Sequence, residues 1–226
     1  ALLRWQHPKQ GLLTPDLFLP LAEKTGLIVP IGNWVINEAC RQLREWHLQG
    51  HQSWSMAVNL STLQFEQPSL VKTVLDCLAL HHVPPEMLIL EVTETTAMSN
   101  PDESVRVLTE LTDAGVKASI DDFGTGYSSL LYLKRLPACE LKIDRAFVKE
   151  LSGESEDATI VSAIVALAKT LNLKVVAEGV ETEAQQAFLT ALGCNTLQGY
   201  LLGKPASPQA IEALCARGEM LPGAEL

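Results

Sequence analysis

Short β-type runs alternate with helix-patterned segments from one end of the sequence to the other, and no other feature limits the fold as much. Such alternation is the pattern of βαβ units, which build a parallel sheet covered by helices. Candidate strands lie at 2–5, 54–60, 88–93, 116–121, 139–144, 173–178 and 196–200, with an eighth position near Leu201. The segments between them carry helix punctuation. Asn100 and Pro101 precede Val105, Leu108 and Leu111 at helical spacing, and Gly115 follows as a stop. Thr182 and Gln185 have the spacing of a capping box, with Gly193 closing that helix. Asp157 precedes a wide apolar face, Ile160, Val161, Ile164, Leu167, Ala168 and Leu171, and Ser207-Pro208 opens a last helix. The count fits an α/β fold of the (β/α)8 TIM-barrel type better than a doubly wound open sheet. A dinucleotide-binding sheet would carry G-x-G-x-x-G after its first strand. Here Gly124-Thr125-Gly126 follows the fourth, and Ser129 stands where the third glycine belongs. No repeat, linker or charge block divides the 226 residues, so 1–226 reads as one domain.

In a barrel the chemistry sits at the C-terminal strand ends, and here those ends carry acids and amides. The second candidate strand ends Val58-Asn59-Leu60-Ser61, the third Glu91-Val92-Thr93-Glu94, the fourth Asp121-Asp122, the fifth Lys142-Ile143-Asp144, the sixth Glu178-Gly179-Val180-Glu181, and the seventh carries Gln198. Period-two alternation puts Glu91 opposite the apolar set Leu88, Leu90 and Val92, and groups Asp121 with Ser119 and Lys142 with Asp144. Seven acids in one mouth raise one another's pKa and destabilise the fold unless cations hold them. Hard oxygen ligands without His or Cys suit Mg²⁺ or Mn²⁺, and this many carboxylates suit two ions, the arrangement used for in-line displacement at phosphorus. The pair Asp121-Asp122 leaves a strand end in diverging directions, which gives one bridging and one terminal ligand. Lys142 is then the cation that orients a water or balances phosphoryl charge. The Gly-rich stretch from Phe123 to Ser129 reads as a mobile loop beside the metals.

Other readings of the same residues stay open. Asp121-Asp122-Phe123-Gly124 is also a turn signal, and Lys142 fits a buried ion pair or the Schiff-base lysine of an aldolase, although surrounding acids would keep its amine protonated. A metal-dependent barrel lyase would use a similar set. His47 and His51 form one helical pair without a third ligand and read as surface residues, His81-His82 as a helix C-terminus, and Trp5, Trp34, Trp46 and Trp54 as core. The five cysteines are odd in number and far apart, which argues against a disulfide framework or a zinc site and for a reducing, cytoplasmic setting. A net charge of −10 without a Lys/Arg run excludes duplex nucleic acid held on a basic face. No apolar stretch approaches a membrane span, the longest being the Ser-broken run from Ile160 to Ala168.

The sequence resembles the EAL family of cyclic di-GMP phosphodiesterases. The resemblance rests on Ala1-Leu2-Leu3-Arg4-Trp5, the stretch from Pro20 to Ile28, Val58-Asn59-Leu60-Ser61, Glu91-Val92-Thr93-Glu94, the stretch from Asp121 to Gly126, Lys142-Ile143-Asp144, the stretch from Ala177 to Glu181, and Gln198-Gly199-Tyr200. It implies a barrel with a modified first strand and Mg²⁺- or Mn²⁺-dependent opening of cyclic di-GMP to linear pGpG in bacterial second-messenger signalling. It further implies that Asn59, Glu91 and Asp121 hold the first ion and Asp122 the second, and that Glu94 anchors the loop after Asp122. Lys142 positions the attacking water in this reading, with Asp144 and Glu178 around metals and water, Glu181 and Gln198 supporting the site, and Leu2 and Arg4 meeting the substrate. A homodimer, a linked sensory or GGDEF-type domain, and a location in the cytoplasm or on the cytoplasmic side of a membrane-anchored parent also follow from the resemblance.

One departure stands at the start. The family's signature glutamate, a first-metal ligand, precedes the Ala-Leu pair, and the sequence opens on Ala1 without a lead-in, as a fragment of a larger multidomain protein would. A parent with another residue there would be a receptor that binds cyclic di-GMP without cleaving it. The residue encoded ahead of Ala1 therefore separates enzyme from receptor.

Overall fold

The first candidate strand does not join a parallel sheet. Trp5–His7 (β1) pairs antiparallel with Gly11–Leu13 (β2), and the turn between them closes at Gly11, whose φ of +74° suits glycine. This hairpin forms a two-stranded sheet of its own. The computed structural model describes residues 1–126, 130–151 and 155–217. Helices α1 (Pro15–Lys24) and α2 (Ile28–Leu48) follow, then β3 (Met56–Leu60), α3 (Thr62–Phe65), α4 (Leu70–His81), β4 (Leu88–Thr93), α5 (Glu94–Ser99) and α6 (Pro101–Asp113). The chain continues through β5 (Lys117–Phe123), α7 (Leu130–Leu133), β6 (Glu140–Ile143), α8 (Arg145–Lys149), α9 (Glu156–Thr170), β7 (Lys174–Glu178), α10 (Glu183–Leu192), β8 (Thr196–Gln198) and α11 (Pro208–Ala216). The sequence-based strands from β3 onward are found with ends shifted by a few residues, while Leu201 lies in a turn. The six parallel strands β3 to β8 follow one another along the chain with helices between them, the α/β class expected.

By backbone contact the chain divides into two units, Ala1–Val92 with Thr96–Ala118, and Thr93–Thr95 with the segment from Ser119 onward. In the first, β3 and β4 pair in parallel with Asn59 and Glu91 as Cα partners. Leu88, Leu90 and Val92 are completely buried, and so are Ile36 and Leu43 of α2 and Leu108 of α6. This is the alternation read from the sequence. Two of the four tryptophans depart from the core reading, since Trp5 is 46% exposed and Trp34 is 56% exposed. His47 departs the other way: it is buried, and its Nε2 lies 3.0 Å from the Trp54 carbonyl oxygen. A carbonyl partner supplied by the following loop makes that burial tolerable.

In the second unit, β5, β6, β7 and β8 pair in parallel in that order. Leu141 and Ile143 of β6 and Val175 and Ala177 of β7 are fully buried, packed from outside by α8 and α9. Helix α10 has the capping box in full: Thr182 accepts from the Gln185 backbone, and the Gln185 side chain accepts from the Thr182 backbone. Helix α9 starts one residue before Asp157, because Ser155 supplies the N-cap hydroxyl to Ala158 N. Each helix start fixes the exit of the strand before it, and the site residues sit at those exits.

Candidate functional site

Strand β5 delivers two adjacent carboxylates to one place by breaking its own alternation. From Ile120 to Phe123 the strand advances three residues while its partner β6 advances two, from Leu141 to Ile143. The extra residue is a bulge. Asp122 takes it up with a left-handed φ of +54°, a conformation that Asp tolerates better than most side chains. Regular pleating would send Asp121 and Asp122 to opposite faces, the diverging pair expected from the sequence. Instead, carboxylate oxygens of Asp121, Asp122 and Glu178, the last at the end of β7, all lie within 4.8 Å of one another.

Lys142 enters the same cluster from β6. Its Nζ lies 2.7 Å from Glu178 Oε1 and 3.1 Å from Asp121 Oδ1, and its side chain is only 5% exposed. Asp144, two residues on, caps α8 by accepting from Ala146 N at 2.6 Å. Burial, with the charges of Asp121, Asp144 and Glu178 beside it, pushes the Asp122 carboxyl up to about 6. One ammonium against this many acids leaves negative charge in excess. Closely set hard oxygen donors carrying such an excess fit a divalent cation, so the donor chemistry agrees with Mg²⁺ or Mn²⁺.

Glu94, the first residue of α5, holds the loop after β5: its Oε2 accepts from Gly124 N at 2.8 Å, and a Cβ at Gly126 would lie 3.0 Å from its Oε1. Of the Gly-rich stretch, Tyr127, Ser128 and Ser129 lie outside the described residues. Gln198 of β8 is the Cα partner of Glu178 and is exposed, as is Glu181, whose backbone N–H donates to the Gln185 side chain. The remaining sequence-based site residues belong to the first unit. Glu91 is 6% exposed there, Asn59 and Leu2 are exposed, and the Arg4 guanidinium donates to the Leu3 carbonyl at 2.8 Å.

A model of the EAL domain family matches residues 1–205. The chain belongs to the EAL family. Among its relatives are two from Pseudomonas aeruginosa. MucR, a bifunctional diguanylate cyclase/cyclic di-GMP phosphodiesterase, is 64% identical over 96% of this chain and 32% of its own length. NbdA, a cyclic di-GMP phosphodiesterase, is 48% identical over 94% of this chain and 27% of its own length. The chain thus spans between a quarter and a third of the length of the curated relatives it matches. A solved structure of the PaMucR phosphodiesterase in complex with c-di-GMP is 65% identical, with a TM-score of 0.91 over 93% of this chain and 85% of that one. The fold class read from the sequence is the one this EAL chain shares with such structures.

Two features of the EAL site were not read from the sequence. The bulge at Asp122 has only the Asp-Asp-Phe-Gly run as a local signal. Gly199 is fixed by contact with Val180, described below, and a glycine after a strand carries no sign of what it touches.

Proposed function

We propose that this chain binds cyclic di-GMP and, with two Mg²⁺ or Mn²⁺ ions, hydrolyses one phosphodiester to linear pGpG. The observation that carries the reading is the buried Lys142 ammonium set between Asp121 and Glu178, within a three-carboxylate cluster. Asp121, Asp122, Asp144 and Glu178 would hold metal in the second unit, and in the first unit Asn59 and Glu91 are the ligand candidates that the family resemblance implies. Such ions supply charge neutralisation at phosphorus and a water acidified enough to attack at neutral pH. Lys142, fixed by two carboxylates, orients the attacking water. Glu94 keeps the loop after β5 in place through Gly124, and Gln198 in the second unit and Leu2 and Arg4 in the first are the substrate-contact candidates that the family resemblance implies. Relatives named as cyclic di-GMP phosphodiesterases support the same reading.

The reading extends to the setting. A linked sensory or GGDEF-type domain is supported by the greater length of the relatives. Pairing as a homodimer is supported by Leu130 and Leu131 of α7, 58% and 70% exposed. Cytoplasmic placement is what the family resemblance implies; no helix among the described residues is long and apolar enough to cross a membrane.

Product analysis tests the activity. Glu91→Ala is expected to abolish the pGpG formed in Mn²⁺. Binding of cyclic di-GMP that persists in chelator, without product from either chain, would make the chain a receptor instead.

The raised Asp122 carboxyl gives a pH signature. Metal must displace its proton, so Mn²⁺ affinity measured by calorimetry is expected to be flat above pH about 6 and to fall roughly tenfold per unit below it. Without metal the sign is reversed. The group's contribution to stability is full below its ordinary value near 3.8 and is lost as pH rises through about 6. An affinity that does not change between pH 5 and 7 would remove Asp122 from the ligand set.

A further inference from the structure

The end of β8 carries an aromatic and ammonium pair that none of the roles above uses. Gly199 follows Gln198 and lies so close to Val180 that a Cβ would stand 2.1 Å from its carbonyl oxygen and 2.2 Å from its nitrogen. Val180 N donates to Gln198 O and Leu201 N donates to Val180 O, both at 3.0 Å. Leu202 N and Gly203 N then donate to Gly199 O at 3.1 and 3.0 Å, closing a turn. That turn brings Lys204 back over Tyr200, with Nζ 5.4 Å from the ring centroid. The Tyr200 ring is nevertheless 61% exposed. A large aromatic side chain is thus held in solvent on a backbone pinned by four hydrogen bonds. It stands two residues, or about 7 Å of chain, beyond Gln198, the register partner of Glu178.

We propose that Tyr200 and Lys204 form a base-reading element of this site, in which the Tyr200 ring stacks on a guanine and the Lys204 ammonium hydrogen-bonds to its O6 and N7. Stacking on an aromatic face accepts any base, because every base has a π-face. Discrimination comes from the lysine. Guanine offers two acceptors on that edge, whereas adenine puts an amino donor where guanine has O6. In the free chain the ammonium rests against the ring as a cation–π pair, and its flexible stem lets it turn to the base edge. The inference rests on the cyclic di-GMP reading of the carboxylate site.

Calorimetry with cyclic di-GMP and its adenine counterpart tests the pair, in Ca²⁺ so that ligand is not consumed. Tyr200→Ala is expected to weaken cyclic di-GMP binding tenfold or more, and Tyr200→Phe to restore it to within twofold, since the ring and not the hydroxyl stacks. Lys204→Met is expected to cut the guanine-over-adenine preference at least tenfold while changing adenine binding less than threefold. Wild-type binding by Tyr200→Ala, or equal weakening of both nucleotides by Lys204→Met, would overturn the proposal. Failure of the phosphodiesterase reading has a different mark: wild type binds and discriminates through Lys204 yet forms no pGpG in Mn²⁺. A wild type that binds neither nucleotide overturns both.

Discussion

Lys142→Met is expected to lower turnover of cyclic di-GMP about 10²–10⁴-fold, the range for loss of a group that positions a proton or nucleophile. The side chain is buried and lies against two carboxylates, so its removal also leaves those acids uncompensated. Breaking a buried pair by deleting one partner costs about 3–5 kcal/mol in general. Divalent metal supplies replacement positive charge, and the two consequences should therefore separate. Denaturant unfolding should show a large loss of stability in chelator and a much smaller one in Mn²⁺, whereas product formation should stay depressed in both. Turnover within tenfold of wild type in saturating Mn²⁺ would mean that Lys142 is a structural counter-ion only.

Asp121→Asn should nearly abolish the stabilisation that metal gives the folded chain. Wild type at 100 times the dissociation constant gains about 2.7 kcal/mol, which for a chain of this length raises Tm by about 5–11 °C. Asp121 belongs to the carboxylate cluster, 7% exposed, with Asp122 and Glu178 close by and the Lys142 ammonium 3.1 Å from its Oδ1. An amide of the same shape keeps the packing and loses the charge, so the Mn²⁺-induced shift should fall to under a third of its wild-type size. Differential scanning fluorimetry over a Mn²⁺ titration reads this directly. An undiminished shift would place the ion elsewhere.

The two variants probe residues that differ in how visible they are in the sequence. Lys142 is legible because it sits in a regular strand, where period two separates it from Leu141 and Ile143, and Asp121 because it directly follows Ile120, the last regularly paired residue before the bulge. Asp122 is legible as half of the Asp-Asp pair but its direction is not, because that depends on a bulge that alters the direction the pleat would give it. Capping chemistry reads well for a similar reason, being local: Thr182 and Gln185 make the expected box. Trp34, exposed on α2, and His47, buried against the Trp54 carbonyl, show the opposite case. Their surroundings come from segments distant in sequence or from loop geometry, and residue type alone does not carry that information. The first strand fails for a third reason. Leu2 to Trp5 has strand composition, but only Trp5 of it lies in a strand, and that residue pairs antiparallel with Leu13 of the hairpin rather than with a parallel neighbour.

The acidity of the chain now has a structural place. Part of the net charge of −10 is concentrated where Asp121, Asp122, Asp144 and Glu178 lie close together with one lysine, an excess of negative charge that suits a cation. This cluster is the core of the account, and its chemistry can be measured in one assay. The chain is incubated with cyclic di-GMP across a Mn²⁺ titration and in chelator, and the nucleotides are separated by anion exchange. The account expects linear pGpG whose rate rises with Mn²⁺ to saturation and vanishes in chelator. Cyclic di-GMP that is bound equally well with and without metal and recovered intact would contradict it.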